Sequence, residues 1–387
     1  MLVALTRASH LTTFEGMSAL VATHAKRAGL GSTSIFLADL QQDVLREVTG
    51  RGIDAGDGGE ELRVDATLAG RAFQKGLGGA VTDGRGRHWI PVVDGTERLG
   101  VLRVDVTAAD PDREAMQDLA SLLGLMLVSK RSYSDSYARL TRTRRMSPSA
   151  EMQWTLMPPQ TFSDGRVTIA AAMEPAYETA GDAFDYALAA DTAHLAIVDA
   201  MGHDTAAGLT ANLAIATCRS HRRRGAGLSE AGSAIEEALV EQFHRSRYAT
   251  GILADLDVTT GYLSWVNYGH TLPVLIRGGR WVTTLDCPPT HPLGTELGLS
   301  TTVCREQLEP GDRLLFYTDG VTEARDTSGQ EFGRDRFVDF VVRHHADGVP
   351  LPETLRRLVH AVLDYHDGFL ADDATVLCCE WHGSTPQ

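Results

Sequence analysis

The chain has 387 residues, and 36 Lys+Arg against 51 Asp+Glu give it a formal net charge of −15. Apolar residues make up 43% and charged residues 22%, an ordinary globular balance that excludes wholesale disorder and allows two or three domains, each with its own core. The acidic excess argues against nucleic acid or an anionic membrane as partner, since both call for a basic face.

In chain order, Leu11, Phe14, Met17, Leu20 and Val21 recur at helical spacing and predict a helix over 9–28. Strands are predicted over 33–38 and 44–48, a Gly- and Asp-rich loop over 53–59, and a helix over 66–74. Two further strands, 88–93 and 99–106, flank the turn Asp94-Gly95-Thr96. Asp110-Pro111 opens a long helix predicted to run from 112 to beyond 140. Helix, strand meander and closing helix make a small α+β module. This order, with the strand Leu99-Gly100-Val101-Leu102, resembles a GAF domain, which implies a small ligand or a protein partner there. A dimerisation module without a ligand is the plainer reading, and homodimerisation stays open.

Ser147-Pro148 reads as an N-cap followed by proline at the first helical position, and Pro158-Pro159 ends the short helix carrying Met152 and Leu156. Beyond it, strands are predicted at 167–173, 185–190, 194–199, 248–255, 262–268, 273–277, 281–285, 303–308, 313–318 and 374–381. Helices are predicted at 205–220, 229–245, 335–345 and 353–367. Runs of strands broken by helix pairs predict an α+β fold of antiparallel sheets with helices outside. The expected domains are 1–130 (GAF-like), 131–158 (helical linker) and 159–383 (the domain that carries the chemistry).

Five cysteines, Cys218, Cys287, Cys304, Cys378 and Cys379, lack CxxC spacing and are odd in number, so neither a disulfide framework nor a thiolate zinc site is expected. A reducing cytoplasm is the matching location. The first residues lack a signal-peptide pattern, and the apolar run 119–128 is about half a bilayer span.

Aspartates stand at strand ends beside glycine in Gly181-Asp182-Ala183-Phe184-Asp185 and in Asp199-Ala200-Met201-Gly202-His203-Asp204. Two more such strings are Tyr317-Thr318-Asp319-Gly320 and Asp372-Asp373-Ala374-Thr375. One Asp-Gly is an ordinary turn. Four acid strings, each flanking an apolar strand and containing no Lys or Arg, suggest convergent oxygen ligands for Mg²⁺ or Mn²⁺.

These strings, with Gln153-Trp154-Thr155-Leu156-Met157-Pro158, Val266-Asn267-Tyr268-Gly269-His270 and Pro292-Leu293-Gly294, resemble the metal-dependent (PPM-type) serine/threonine protein phosphatases in their bacterial SpoIIE-like branch. The resemblance covers about 151–382 and implies two antiparallel sheets sandwiched between helices. It implies Asp182, Asp199, the Ala200 carbonyl, Asp319 and Asp372 as ligands of two Mn²⁺ or Mg²⁺ ions, with Asp199 bridging. Asp185, Gly202, His203, Gly320 and Asp373 are implied in supporting roles.

The implied reaction is hydrolysis of phosphoserine or phosphothreonine by a water activated between the two ions, with no protein nucleophile. The implied substrate is a phosphorylated STAS-type anti-anti-sigma factor, which links the chain to sigma-factor control in stress, with the N-terminal module adjusting activity. Two alternatives are a catalytically weak partner-switch scaffold and a hydrolase of small phosphate esters. No general acid is assignable; His203 is read as structural. The sequence departs from the branch at Met201 and Asp204, where a small residue and a glycine are usual, and Asp204 is read as a helix cap. Arg222-Arg223-Arg224 is read as a solvated helix end, Trp265 and Trp281 as core, and His270 as a buried hydrogen-bonding residue.

Overall fold

In the computed structural model, which describes residues 1–106, 112–178, 181–366, 370 and 372–384, the chain forms two units, Met1–Arg145 and Met146–Gln387. The first contains α1 (Leu2–Ser9), α2 (Met17–Arg27), β1 (Ser32–Ala38), β2 (Val44–Glu47), β3 (Glu61–Arg63) and α3 (Leu68–Lys75). It continues with β4 (Val81–Thr82), β5 (Arg87–Asp94), β6 (Glu97–Asp105), α4 (Arg113–Arg131) and α5 (Asp135–Leu140). The six strands form one antiparallel sheet in the order β3-β2-β1-β6-β5-β4.

Alternation along β1 and β6 sends side chains to both faces of this sheet. Ile35, Leu37 and Leu102 pack with Met17, Val21, Leu119 and Leu123 on one side. Phe36, Trp89 and Val101 pack with Phe73 of α3 on the other. Gly100 lets β6 lie close to β1, since a Cβ there would stand 1.9 Å from the Phe36 carbonyl.

Two helical predictions are corrected in this unit. The helix expected over 9–28 is shortened to α2, with residues 10–16 outside any helix and a separate α1 ahead of it. The long helix expected to pass 140 stops at Arg131, because Ser134 turns outward and accepts the Tyr137 amide at 3.1 Å, capping a new helix, α5. The predicted start at Asp110-Pro111 lies outside the described residues.

The second unit begins with α6 (Pro148–Leu156), where Ser147 accepts the Ala150 amide as the sequence predicts. Next come β7 (Thr161–Ser163), β8 (Val167–Glu174), β9 (Asp182–Ala189), β10 (Thr192–Ala200), α7 (Thr205–Arg222) and α8 (Leu228–Phe243). Strands β11 (Ala249–Asp257), β12 (Tyr262–Tyr268), β13 (Val274–Arg277), β14 (Trp281–Thr284), β15 (Cys304–Gln307) and β16 (Arg313–Tyr317) follow. The unit closes with α9 (Asp319–Glu323), α10 (Arg334–Ala346), α11 (Leu351–Tyr365) and β17 (Ala374–Trp381).

Two antiparallel sheets result, in the orders β15-β12-β11-β10-β9 and β14-β13-β16-β17-β8-β7. Phe184, Ile197, Ile252, Val266, Phe316 and Leu377 belong to the core that joins the sheets, α7 and α8. Leu315 and Val376 face the other way, onto Phe337, Leu355 and Leu358 of α10 and α11. Each large side chain so buried contributes roughly 1.5–3 kcal/mol. The expected α+β sandwich of two antiparallel sheets flanked by helices is therefore the observed one.

Two further expectations fail here. Trp281 is not core: it lies on edge strand β14 and is 78% exposed, whereas Trp265 on β12 is buried. Cys287 and Cys304 form a disulfide with their Cα atoms 5.8 Å apart, while Cys218, Cys378 and Cys379 are free and buried. Their separation of 17 residues hides the pair from any short-spacing rule, because the loop between them folds back. Among the described residues no helix is long and apolar enough to cross a membrane.

Candidate metal centre

Strand β10 is buried through Ala196, Ile197 and Val198 and then surfaces at Asp199. Its partner β9 starts at Asp182, directly opposite Asp199 in the ladder. From the other sheet, the fully buried β16 delivers Thr318 and then Asp319, the first residue of α9. Asp372 and Asp373 lead into β17, the neighbour of β16.

Hydrogen bonds lock these strand ends together. Thr318 Oγ1 donates to Asp182 Oδ2 at 2.6 Å and accepts the Thr375 amide at 2.9 Å. Asp373 Oδ2 accepts the amides of Gly181 and Asp182 at 2.7 and 3.3 Å. Gln153 on α6 reaches the Asp182 carbonyl at 2.8 Å. A Cβ on Gly320 would lie 2.0 Å from the Asp373 carbonyl, and one on Gly181 would lie 2.7 Å from the carbonyls of Ala200 and Gly202. Both glycines are therefore fixed by close approach of backbone.

The acids repel one another. Burial, with the charges of Asp199 and Asp373, holds the Asp182 carboxyl well above the usual range despite the Thr318 hydrogen bond. Asp199 is pushed up to about 7 by burial and by Asp319, Asp372 and Asp373. Asp319 is raised by burial and by Asp372. Among the described residues, no arginine or lysine is a leading influence on these three carboxyls. A crowd of partly buried carboxylates without a counter-cation is costly unless a cation joins it.

The donor chemistry fits a divalent ion of the Mg²⁺ or Mn²⁺ kind, being all oxygen and in excess negative charge. Among the described residues no three Asp, Glu, His or Cys side chains already converge on one point that could hold an ion. Mg²⁺ keeps several waters and is commonly held by only one or two carboxylates, so a tight three-carboxylate grip is not required.

The structure thus brings Asp182, Asp199, Asp319, Asp372 and Asp373 into one electrostatic cluster, with Ala200 buried at the end of β10. Gly202, at φ 90°, and His203 lie exposed in the loop after β10. Asp204 caps α7 by accepting the Ala207 amide at 2.8 Å, as expected, and also pairs with Arg247 at 2.8 Å. His270 is buried as expected, its amide donating to Asn267 Oδ1 at 2.7 Å.

Asp185 departs from its expected supporting role. It is 1% exposed and is bound by Arg219 at 2.6 Å and Arg222 at 2.7 Å, so it fastens β9 to α7. Arg222 is therefore not part of a solvated helix end. Sequence reasoning also passed over Thr318 and Gln153, although both lie inside the strings already quoted, because neither is charged.

The family described as Stage II sporulation protein E (SpoIIE) matches residues 189–382, half of the chain. The chain belongs to the SpoIIE family. The matched span holds Asp199, Asp319 and Asp372, and begins after Asp182. Phosphoserine phosphatase RsbU of Bacillus subtilis is 22% identical over 233 residues, covering 59% of this chain and 68% of RsbU. Protein IcfG of Synechocystis is 26% identical over 131 residues, 34% of this chain but only 20% of IcfG.

The solved structure of the RsbU and RsbW domains of Rv1364c from Mycobacterium tuberculosis aligns with a TM-score of 0.50 at 24% identity. The alignment covers 57% of this chain and 62% of that one. This likeness is one of fold.

Proposed function

We propose that the chain is a Mg²⁺- or Mn²⁺-dependent protein serine/threonine phosphatase with two ions held by Asp182, Asp199, the Ala200 carbonyl, Asp319 and Asp372. The observation that carries this reading is the cluster itself: carboxylates from the ends of paired strands of both sheets, with Asp182, Asp199 and Asp319 raised in pKa by burial and by the charges of neighbouring acids. When bound, such ions supply an activated water and neutralise charge on a phosphate ester. RsbU, named a phosphoserine phosphatase, supports the substrate chemistry by similarity.

The chain's own residues have distinct tasks in this reading. Thr318 and Gln153 orient Asp182 through its side chain and its carbonyl. Asp373 ties the start of β9 to the start of β17, holding the two sheets' contributions in register. Asp199, opposite Asp182 in the ladder and acted on by the charges of Asp319, Asp372 and Asp373, would help to hold both ions. The substrate is a phosphorylated STAS-type regulatory protein in a partner switch, and the N-terminal unit is a GAF-like sensor that adjusts the activity.

Hydrolysis of p-nitrophenyl phosphate and of a phosphoserine STAS protein, each with Mn²⁺ or with EDTA, tests the reading. Mn²⁺-dependent turnover, lost in Asp199→Asn and faster on the protein than on the small ester, is the expected result. Activity that is absent, or unchanged by EDTA and by Asp199→Asn, overturns it.

A further inference from the structure

The loop between β10 and α7 is held from several sides. At its start, the Ala200 amide donates to the Gly181 carbonyl at 2.9 Å and the Met201 amide to the Tyr248 carbonyl at 3.0 Å. At its end, Asp204 caps α7. Arg247 spans the middle: Nη1 donates to the Met201 carbonyl at 3.2 Å and to Asp204 Oδ1 at 3.1 Å, and Nη2 donates to Asp204 Oδ2 at 2.8 Å. Gly202 passes beneath that guanidinium, where a Cβ would stand 3.7 Å from Nη1.

This geometry is more specific than an ion pair. A lysine could supply the charge but not the planar fork that reaches a carbonyl and both carboxylate oxygens at once. Asp204 is largely exposed, with its side chain at 58%, and Arg247 is partly so at 22%. Pairs this exposed add little to folding stability. What the pair does fix is the path of residues 200–204, directly after Asp199.

We infer that Arg247 and Asp204 are positioning residues: their pairing sets the course of the loop after Asp199, and with it the direction of the Ala200 carbonyl, so that a divalent cation binds at the carboxylate cluster. The inference rests on the metal reading of the cluster given above. Neither residue is among the groups assigned above to the ion; their side-chain hydrogen bonds are with each other, the Met201 carbonyl and the Ala207 amide. Their effect passes through the loop backbone, in the way outer contacts tune a metal site.

The test uses the full chain, with Mn²⁺ dissociation constants from electron paramagnetic resonance of the free ion and metal-free melting temperatures. The variants are Arg247→Ala, Arg247→Lys, Asp204→Ser and the double Arg247→Ala/Asp204→Ser. Serine keeps the helix cap while removing the pair.

Loss of either partner is expected to weaken Mn²⁺ binding about tenfold, the lower end for outer-shell contacts. Arg247→Lys is expected to recover only part of the loss, and the double variant to be no worse than the singles. Metal-free melting temperatures should stay near wild type. Dissociation constants within twofold of wild type in both single variants overturn the inference. So does a loss of affinity that merely tracks a lowered melting temperature. Wild-type protein that binds no Mn²⁺ overturns the metal reading itself, a result distinct from either.

Discussion

Replacing Asp199 by Asn tests the electrostatics of the cluster apart from catalysis. Its carboxyl, normally at 3.8, is pushed up to about 7 by burial and by Asp319, Asp372 and Asp373. An acid whose folded pKa lies above its unfolded value favours the fold when protonated. Its stabilising contribution is full below about 4 and declines as pH rises to about 7. At pH 8 the ionised group therefore costs the metal-free fold up to about 4 kcal/mol, taking ~1.4 kcal/mol per pH unit.

Neighbouring acids share that cost, so Asp199→Asn should stabilise the metal-free protein by roughly 2–4 kcal/mol at pH 8, a rise of roughly 5–10 °C in Tm for a unit of this size. The assay is thermal unfolding in EDTA at pH 8 and again near pH 4, then with Mn²⁺. The variant should melt higher at pH 8, converge with wild type toward pH 4, and gain far less from Mn²⁺. A variant that melts at or below wild type at pH 8 in EDTA would refute the reasoning.

Other consequences follow from single contacts. Asp185→Ala strands Arg219 and Arg222 in a largely buried site and should cost about 3–5 kcal/mol in urea unfolding, with no need for metal to be present. His270 is pushed down to about 4 by burial, so the fold loses up to about 3 kcal/mol as pH falls from 6.5 to 4; unfolding of His270→Gln at pH 7 and 5 should show that slope removed. Gly320→Ala places a methyl 2.0 Å from the Asp373 carbonyl and should destabilise by about 1–3 kcal/mol while lowering Mn²⁺ affinity, measured by calorimetry.

The parts of the site that could be read from sequence were those with a local signature. An apolar run ending in Asp-Gly, as at Tyr317-Thr318-Asp319-Gly320, announces a strand delivering a carboxylate, and the structure has that form. Strand pairing was less accessible. Nothing local places Asp182 opposite Asp199, although the two lie in consecutive strands.

Misreadings came from contacts distant in sequence. Asp185 seemed part of an acid string because its arginines stand 34 and 37 residues away. Cys287 and Cys304 meet only because the chain between them folds back. Trp281 followed a strand pattern, but its strand is the sheet's edge, and edge position is a property of topology rather than of the local sequence. The long helix past Arg131 failed on a single capping serine, Ser134, whose preference for ending and starting helices was visible but outweighed by the apolar periodicity around it.

Whether these carboxylates hold divalent cations is decided by anomalous diffraction at the manganese edge from crystals saturated with Mn²⁺. Two peaks are expected within coordination distance of Asp182, Asp199, Asp319 and Asp372, with Asp199 near both. Crystals soaked to saturation that show no peak among these residues, or peaks only elsewhere on the chain, would contradict the metal reading of the cluster.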